Sequence, residues 1–222
     1  MSEQVRVDIS PSEHVTAIVY PASGRRAGLR LILAHGAGSN QRSPSMTTMA
    51  TALSEKGIET VTFNFLYSEQ RKRVPDRNDK LETCWRRIIE AFRPTGRDKL
   101  VIGGKSMGGR IASQVAAADA TGIAGLVFLG YPLHPPGQPE KLRDKHLPDI
   151  RVPMLFVQGA KDAFGTPEEL NPILRPLKTA ELCVVEDADH SFKVPKRAAR
   201  SQDQVDAFVL DRVEAWLRRT IE

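Results

Sequence analysis

Short aliphatic runs alternate along this chain with stretches in which apolar positions recur every three or four residues. Residues 15–20, Val-Thr-Ala-Ile-Val-Tyr, alternate and are rich in β-branched side chains, which predicts an early edge strand closed by the turn at 21–24. Buried strands are predicted over 29–34, 58–65, 100–103, 123–129, 153–158 and 180–185, each short, aliphatic and followed by turn residues. Met46, Met49, Ala50 and Leu53 fall at helical spacing over 45–56, and Gly57 stops that helix. Leu81, Trp85, Ile88 and Ile89 mark the inner face of a helix over 79–92, and a third helical pattern covers 109–118. Val205, Phe208, Val209, Val213, Trp216 and Leu217 mark a last helix over 201–219. The charged, proline-punctuated stretch 71–79 reads as a loop. Strands alternating with helices predict an α/β fold: a mostly parallel sheet with helices on both faces, one domain over residues 1–222. The segment between residues 129 and 153 is too short and proline-rich for a substantial cap domain.

Composition narrows the class. The chain has 222 residues, 41% hydrophobic and 27% charged, which is ordinary for a globular protein. No apolar run approaches the ~20 residues of a membrane span. The N-terminus shows no basic region followed by an apolar one, so no secretory signal is expected. Cys84 and Cys183 form no metal spacing and read as small buried residues in a reducing compartment, hence a cytoplasmic protein. The net charge of +5 is spread over short basic groups, such as Arg71-Lys72-Arg73 and Arg218-Arg219, divided by acidic residues. With no nucleic-acid-binding signature beside them, a solvated surface is the better reading. Neither a nucleic acid nor a membrane is expected as partner, and nothing in the sequence indicates a protein partner.

Candidate chemistry gathers at Gly104-Lys105-Ser106-Met107-Gly108, a G-x-S-x-G between predicted strand and predicted helix. Such a turn is a nucleophile elbow: it holds the serine in strained backbone angles above the sheet edge, and glycines two positions either side avoid collisions. A serine hydroxyl needs an imidazole to take its proton and an acid to orient that imidazole, in the chain order serine, acid, histidine. Asp162 follows the predicted 153–158 strand and His190 follows 180–185, both at carboxyl ends. Glu186, Asp187 and Asp189 compete as acids but lie very near His190 in sequence. His14 and His146 lack a strand-end context. His134, five residues past a core strand, is a candidate pocket residue. The loop His35-Gly36-Ala37-Gly38 follows the 29–34 strand, so the amides of Ala37 and Met107 are the candidate oxyanion donors, with His35 orienting the loop. Lys105 either approaches an anionic substrate group or, on the blander reading, extends along the elbow toward solvent. Met107, Leu133, Phe164 and Phe192 could line an apolar acyl pocket.

The runs Gly104-Lys105-Ser106-Met107-Gly108-Gly109-Arg110, Leu129-Gly130-Tyr131-Pro132-Leu133-His134-Pro135-Pro136-Gly137 and Asp162-Ala163-Phe164-Gly165 resemble a small α/β-hydrolase family. It includes testis-expressed protein 30, the third regulatory subunit of the NSL acetyltransferase complex and many bacterial members. The resemblance runs from about residue 29 to the C-terminus and implies an uncapped α/β-hydrolase with Ser106, Asp162 and His190 as its triad. The more distant dienelactone hydrolases usually carry cysteine at the nucleophile position, which Ser106 departs from. The expected activity is hydrolysis of a small ester or thioester through an acyl-enzyme, with a small-molecule substrate and no metal or cofactor. The alternatives are another chemistry on the same triad (peptidase, perhydrolase, carbon–carbon hydrolase) and a non-catalytic scaffold that retains the fold.

Overall fold

A computed structural model describes residues 2–221 of the chain. Eight strands form one sheet: β1 (Glu3–Ser10), β2 (Glu13–Tyr20), β3 (Leu29–Ala34), β4 (Glu59–Phe63), β5 (Lys99–Lys105), β6 (Gly125–Leu129), β7 (Met154–Gly159) and β8 (Ala180–Val185). Their order across the sheet is β1-β2-β4-β3-β5-β6-β7-β8. β1 and β2 pair antiparallel, as do β2 and β4; every other neighbour pair is parallel. The helices are α1 (Pro44–Glu55), α2 (Leu66–Glu69), α3 (Asn78–Ala91), α4 (Met107–Ala118), α5 (Pro167–Leu174) and α6 (Gln202–Thr220).

Helices on both faces explain why the central strands are aliphatic without alternation: β6 and β7 are buried at every position. The two faces carry separate apolar clusters. One is built by α3, α4 and α5, around Trp85, Ile88, Ile111, Phe128, Phe156 and Leu170. The other is built by α1 and α6, around Leu53, Val101, Val127, Val205, Trp216 and Leu217. The predicted inner face of α3 is buried as expected, joined by Cys84. On α6, Phe208 departs from expectation. It is only partly buried, and its ring lies 4.3 Å from the Arg200 guanidinium and 5.0 Å from that of Arg212.

Three elements correct the sequence reading. Residues 15–20 do not form the sheet edge, because β1 pairs outside β2 and takes that place. α2 forms just ahead of the predicted 71–79 loop. α5 begins at a capping box in which Thr166 and Glu169 each bond the other's backbone N–H. Between β6 and β7 only a 3-10 turn, Leu147–Asp149, interrupts irregular chain, so no cap domain covers the carboxyl edge there. Among the described residues no helix is long and apolar enough to cross a membrane. The α/β-hydrolase architecture expected from the resemblance is the one found.

Candidate active site

Ser106 is the one residue between β5 and α4, and it turns the chain with φ 49° and ψ −120°. A non-glycine residue held there stores about 1–3 kcal/mol of strain. Its N–H donates to the Leu129 carbonyl of β6 at 3.1 Å, and its carbonyl accepts the first α4 bond, from Arg110 N–H at 3.0 Å. The flanking glycines are required by the end of a neighbour strand. A Cβ on Gly104 would stand 2.2 Å from the Ala34 carbonyl oxygen, and one on Gly108 2.5 Å from the same atom. The elbow is thus pressed against the end of β3, where the His35–Gly38 loop begins.

The turn after β7 carries Asp162, and the turn after β8 carries His190. Their backbones are laced together: Ala160 N–H donates to the Val185 carbonyl at 2.9 Å and Lys161 N–H to that of Ala188 at 2.8 Å. Asp162 is buried. Its Oδ1 accepts from Phe164 N–H at 2.8 Å, and its Oδ2 accepts from Gln158 Nε2 at 2.9 Å. The same Oδ2 lies 2.7 Å from His190 Nδ1, and His190 Nε2 lies 2.8 Å from Ser106 Oγ. A carboxylate can only accept, so Nδ1 carries the proton and Nε2 is left to accept from the Ser106 hydroxyl. The Phe164 ring packs 4.2 Å, centroid to centroid, from the His190 ring.

The competing acids are engaged elsewhere or turned outward. Asp189 Oδ1 caps its own loop, accepting from Ser191 N–H at 2.7 Å and Lys193 N–H at 2.9 Å. Asp187 pairs with Lys161 at 2.6 Å, and Glu186 is exposed.

The loop at 35–38 is held by His35, which is fully buried. Its Nδ1 donates to the Gly36 carbonyl at 2.8 Å, and its Nε2 accepts from Phe65 N–H at 3.3 Å. Burial pushes its pKa down to about 4, so near neutrality the ring is an uncharged brace for the loop. Gly36 lies against the elbow, and a Cβ there would meet Ser106 Cβ at 3.4 Å. Ala37 and Met107 both line the cavity that opens over Ser106, and neither backbone N–H donates a hydrogen bond within the described residues.

That cavity measures about 410 Å³. Ala37, Met107, Pro132 and Phe164 surround Ser106, and Arg110, Arg143, Asp76 and Asn78 form the polar remainder of the wall. Of the expected pocket residues, Met107 and Phe164 are present, and Leu133, His134, Phe192 and Lys105 are not. Leu133 is buried in the core. His134 faces α5, its Nε2 3.3 Å from Glu169 Oε1. Phe192 lies on the other side of β5, at a second, apolar cavity of about 550 Å³ between α1 and α6.

Lys105 goes the same way. Successive residues of a strand point to opposite faces, so it leaves the reacting face and borders the α1–α6 cavity instead of extending to solvent. Its ammonium donates to the His190 carbonyl and lies 4.6 Å from the Phe192 ring centroid. Burial pushes its pKa down to about 8.

Sequence reasoning missed Gln158, Arg110 and Arg143. Gln158 is a buried amide at the end of an aliphatic strand, and that misfit was its signal. Besides Asp162, its Nε2 donates to the Gly165 carbonyl at 2.7 Å, and its Oε1 accepts from Tyr131 N–H at 2.8 Å. Arg110 stands four residues past Ser106, in the first turn of the helix that the elbow opens, and that nearness was its signal. Arg143 left no local signal.

The alpha/beta hydrolase domain family matches residues 27–218. Among solved structures, the chain is similar to a lidless α/β serine hydrolase from Xanthomonas campestris, with 22% identity, TM-score 0.75 and coverage of 98% of this chain and 94% of that one. An α/β serine hydrolase homologue from Coxiella burnetii matches at 21% identity and TM-score 0.69, over 99% of this chain and 97% of that one. A dienelactone hydrolase from Anabaena variabilis matches at 20% identity and TM-score 0.73, over 100% of this chain and 99% of that one.

Proposed function

Within the alpha/beta hydrolase family, to which this chain belongs, we propose that it is a serine hydrolase of small esters or thioesters. The observation that carries the reading is the unbroken line from Asp162 Oδ2 through His190 to Ser106 Oγ, with links of 2.7 and 2.8 Å, ending on a serine held at φ 49°. In the first half-reaction Ser106 Oγ bonds to the carbonyl carbon as its proton passes to His190 Nε2. The negative charge on the former carbonyl oxygen is taken by the amides of Ala37 and Met107, whose freedom from other acceptors supports that role. His190 then protonates the departing alcohol or thiol as its bond to carbon breaks. Water repeats the sequence on the acyl-enzyme, with His190 accepting its proton and returning it to Ser106. Asp162 stabilises the imidazolium formed in each half, and Gln158 holds Asp162.

No metal or cofactor is required by these steps. The G-K-S-M-G-G and G-Y-P-L-H-P-P-G runs support a place near the testis-expressed protein 30 group within the family. The two unpaired thiols, Cys84 and Cys183, suit a reducing compartment such as the cytoplasm.

Labelling with a fluorophosphonate probe tests the reading. The wild type is expected to label, and Ser106→Ala, folded by circular dichroism, is expected not to. Absence of Ser106-dependent label on folded protein overturns the hydrolase reading in favour of a binding module that kept the fold.

A further inference from the structure

The Ser106 cavity has a cationic end that the mechanism above does not use. Arg110 lies in the first turn of α4, directly after the elbow, and lines the same cavity as Ser106. Arg143 reaches the same cavity from the segment between β6 and β7. That segment holds it in place: its N–H donates to the Leu133 carbonyl at 2.8 Å and its Nη1 to the Pro132 carbonyl at 3.3 Å. Both side chains are half-buried.

Neither guanidinium is ion-paired among the described residues. Arg110 Nη1 meets only two neutral amide oxygens, Asn78 Oδ1 and Gln114 Oε1, each at 3.3 Å. Its Nε and Nη2, like those of Arg143, have no acceptor among the described residues. Two carboxylates lie nearby, neither within ion-pair distance of either guanidinium: Asp76 lines the same cavity, and Glu82 acts on Arg110 from farther off. Asp76 Oδ2 accepts from Tyr67 N–H at 2.9 Å, and Glu82 Oε2 accepts from Arg86 at 2.7 Å. Burial, and then the like charge of Arg143, hold the Arg110 guanidinium below its usual range. Two half-buried arginines of one sign, facing one cavity with donors to spare, form a site that an anion would complete. The flat fork of a guanidinium suits a carboxylate or a phosphate.

We propose that the cavity binds an anionic group of the substrate between Arg110 and Arg143 while the reacting carbonyl sits at Ser106. The substrate class is then an acidic ester or thioester. The attack by Ser106 rests on the serine-hydrolase reading above; the binding of the anion does not. The anion could belong to the acyl part, as in the half-ester of a short dicarboxylic acid, or to the departing part.

The test compares two charged esters, each beside an uncharged partner of similar size. 4-Nitrophenyl hydrogen succinate against 4-nitrophenyl pentanoate places the charge on the acyl side. 4-Acetoxybenzoate against its methyl ester places it on the departing side. The expected result is a charged-to-uncharged ratio of kcat/KM of about 10–100 on one pair, the factor one charge-assisted hydrogen bond supplies. That ratio falls toward one in Arg110→Gln and Arg143→Gln, and it falls as salt is raised. The pair that responds identifies the side.

A ratio near one for both pairs in the wild type, or a ratio that neither substitution changes, overturns the proposal. Calorimetric titration of Ser106→Ala with monomethyl succinate separates the two readings. Binding that disappears in Ser106→Ala/Arg110→Gln sustains the anion site even if no ester is turned over. Hydrolysis of uncharged esters with no such binding overturns the anion site and leaves the hydrolase reading standing.

Discussion

His35 shows how one residue can be structural and still govern the site. The loop that places Ala37 beside Ser106 hangs on this buried ring, which serves as donor to Gly36 and acceptor from Phe65 only while it is neutral. Its pKa in the folded chain, about 4, lies below the ordinary 6.5, so on acidification the unfolded chain takes up the proton first. The stability carried by the neutral ring is therefore whole above pH 6.5 and is lost as the pH falls toward 4, by roughly 3 kcal/mol in all. Denaturant titrations across that range are expected to show the loss in the wild type and a shallower one in His35→Asn; parallel slopes would refute it. Ser106, Asp162 and His190 were legible because each follows a strand and their order in the chain is diagnostic. Arg143 was not, because what brings it to Ser106 is the path of an irregular segment, to which no periodicity applies. Lys105 was open to two readings, an anionic substrate group or solvent, and meets neither, because strand alternation turns it to the far face and onto the His190 carbonyl.

At the scale of elements, the carboxyl ends of β6 and β7 are joined by a single side chain. Gln158 pairs with the Tyr131 N–H beyond β6 while it holds Asp162 and the Gly165 carbonyl beyond β7. Gln158→Leu keeps much of the volume but leaves the Tyr131 N–H buried without a partner and removes one donor from Asp162. A loss of about 1–3 kcal/mol is expected in denaturant unfolding. The rate of fluorophosphonate labelling should fall further than that stability loss alone accounts for, since Asp162 then turns more freely. An unchanged labelling rate would make Gln158 a packing residue only. Most elements were legible, and β8 matches its predicted span at both ends. β1 was legible too, since Val5, Val7 and Ile9 alternate with polar residues as a strand covered on one face does, but that signal was passed over. α5 was passed over because Pro172 interrupts its short apolar pattern, although Thr166, Pro167 and Glu169 spell its start.

On the scale of the whole molecule, the irregular chain between β6 and β7 leaves the carboxyl edge of the sheet uncovered over Ser106. A cavity of about 410 Å³ with charged walls suits short acyl groups. Across 4-nitrophenyl esters from two to twelve carbons, kcat/KM is expected to peak at four or fewer and to decline steadily beyond. A maximum at eight or more carbons would contradict the open, polar site. The sheet also divides the interior, with Ser106, Arg110 and the α3–α5 cluster on one side and Lys105, Phe192 and the α1–α6 cluster on the other. Sites with no shared partners change free energy independently. Substitutions chosen to harden the α1–α6 half can therefore be accumulated without reshaping the reacting half, except around Lys105, Leu129 and Phe192, where that half meets the backbone of Ser106 and His190. The molecule comes already partitioned for directed evolution, one half available for robustness and the other for specificity.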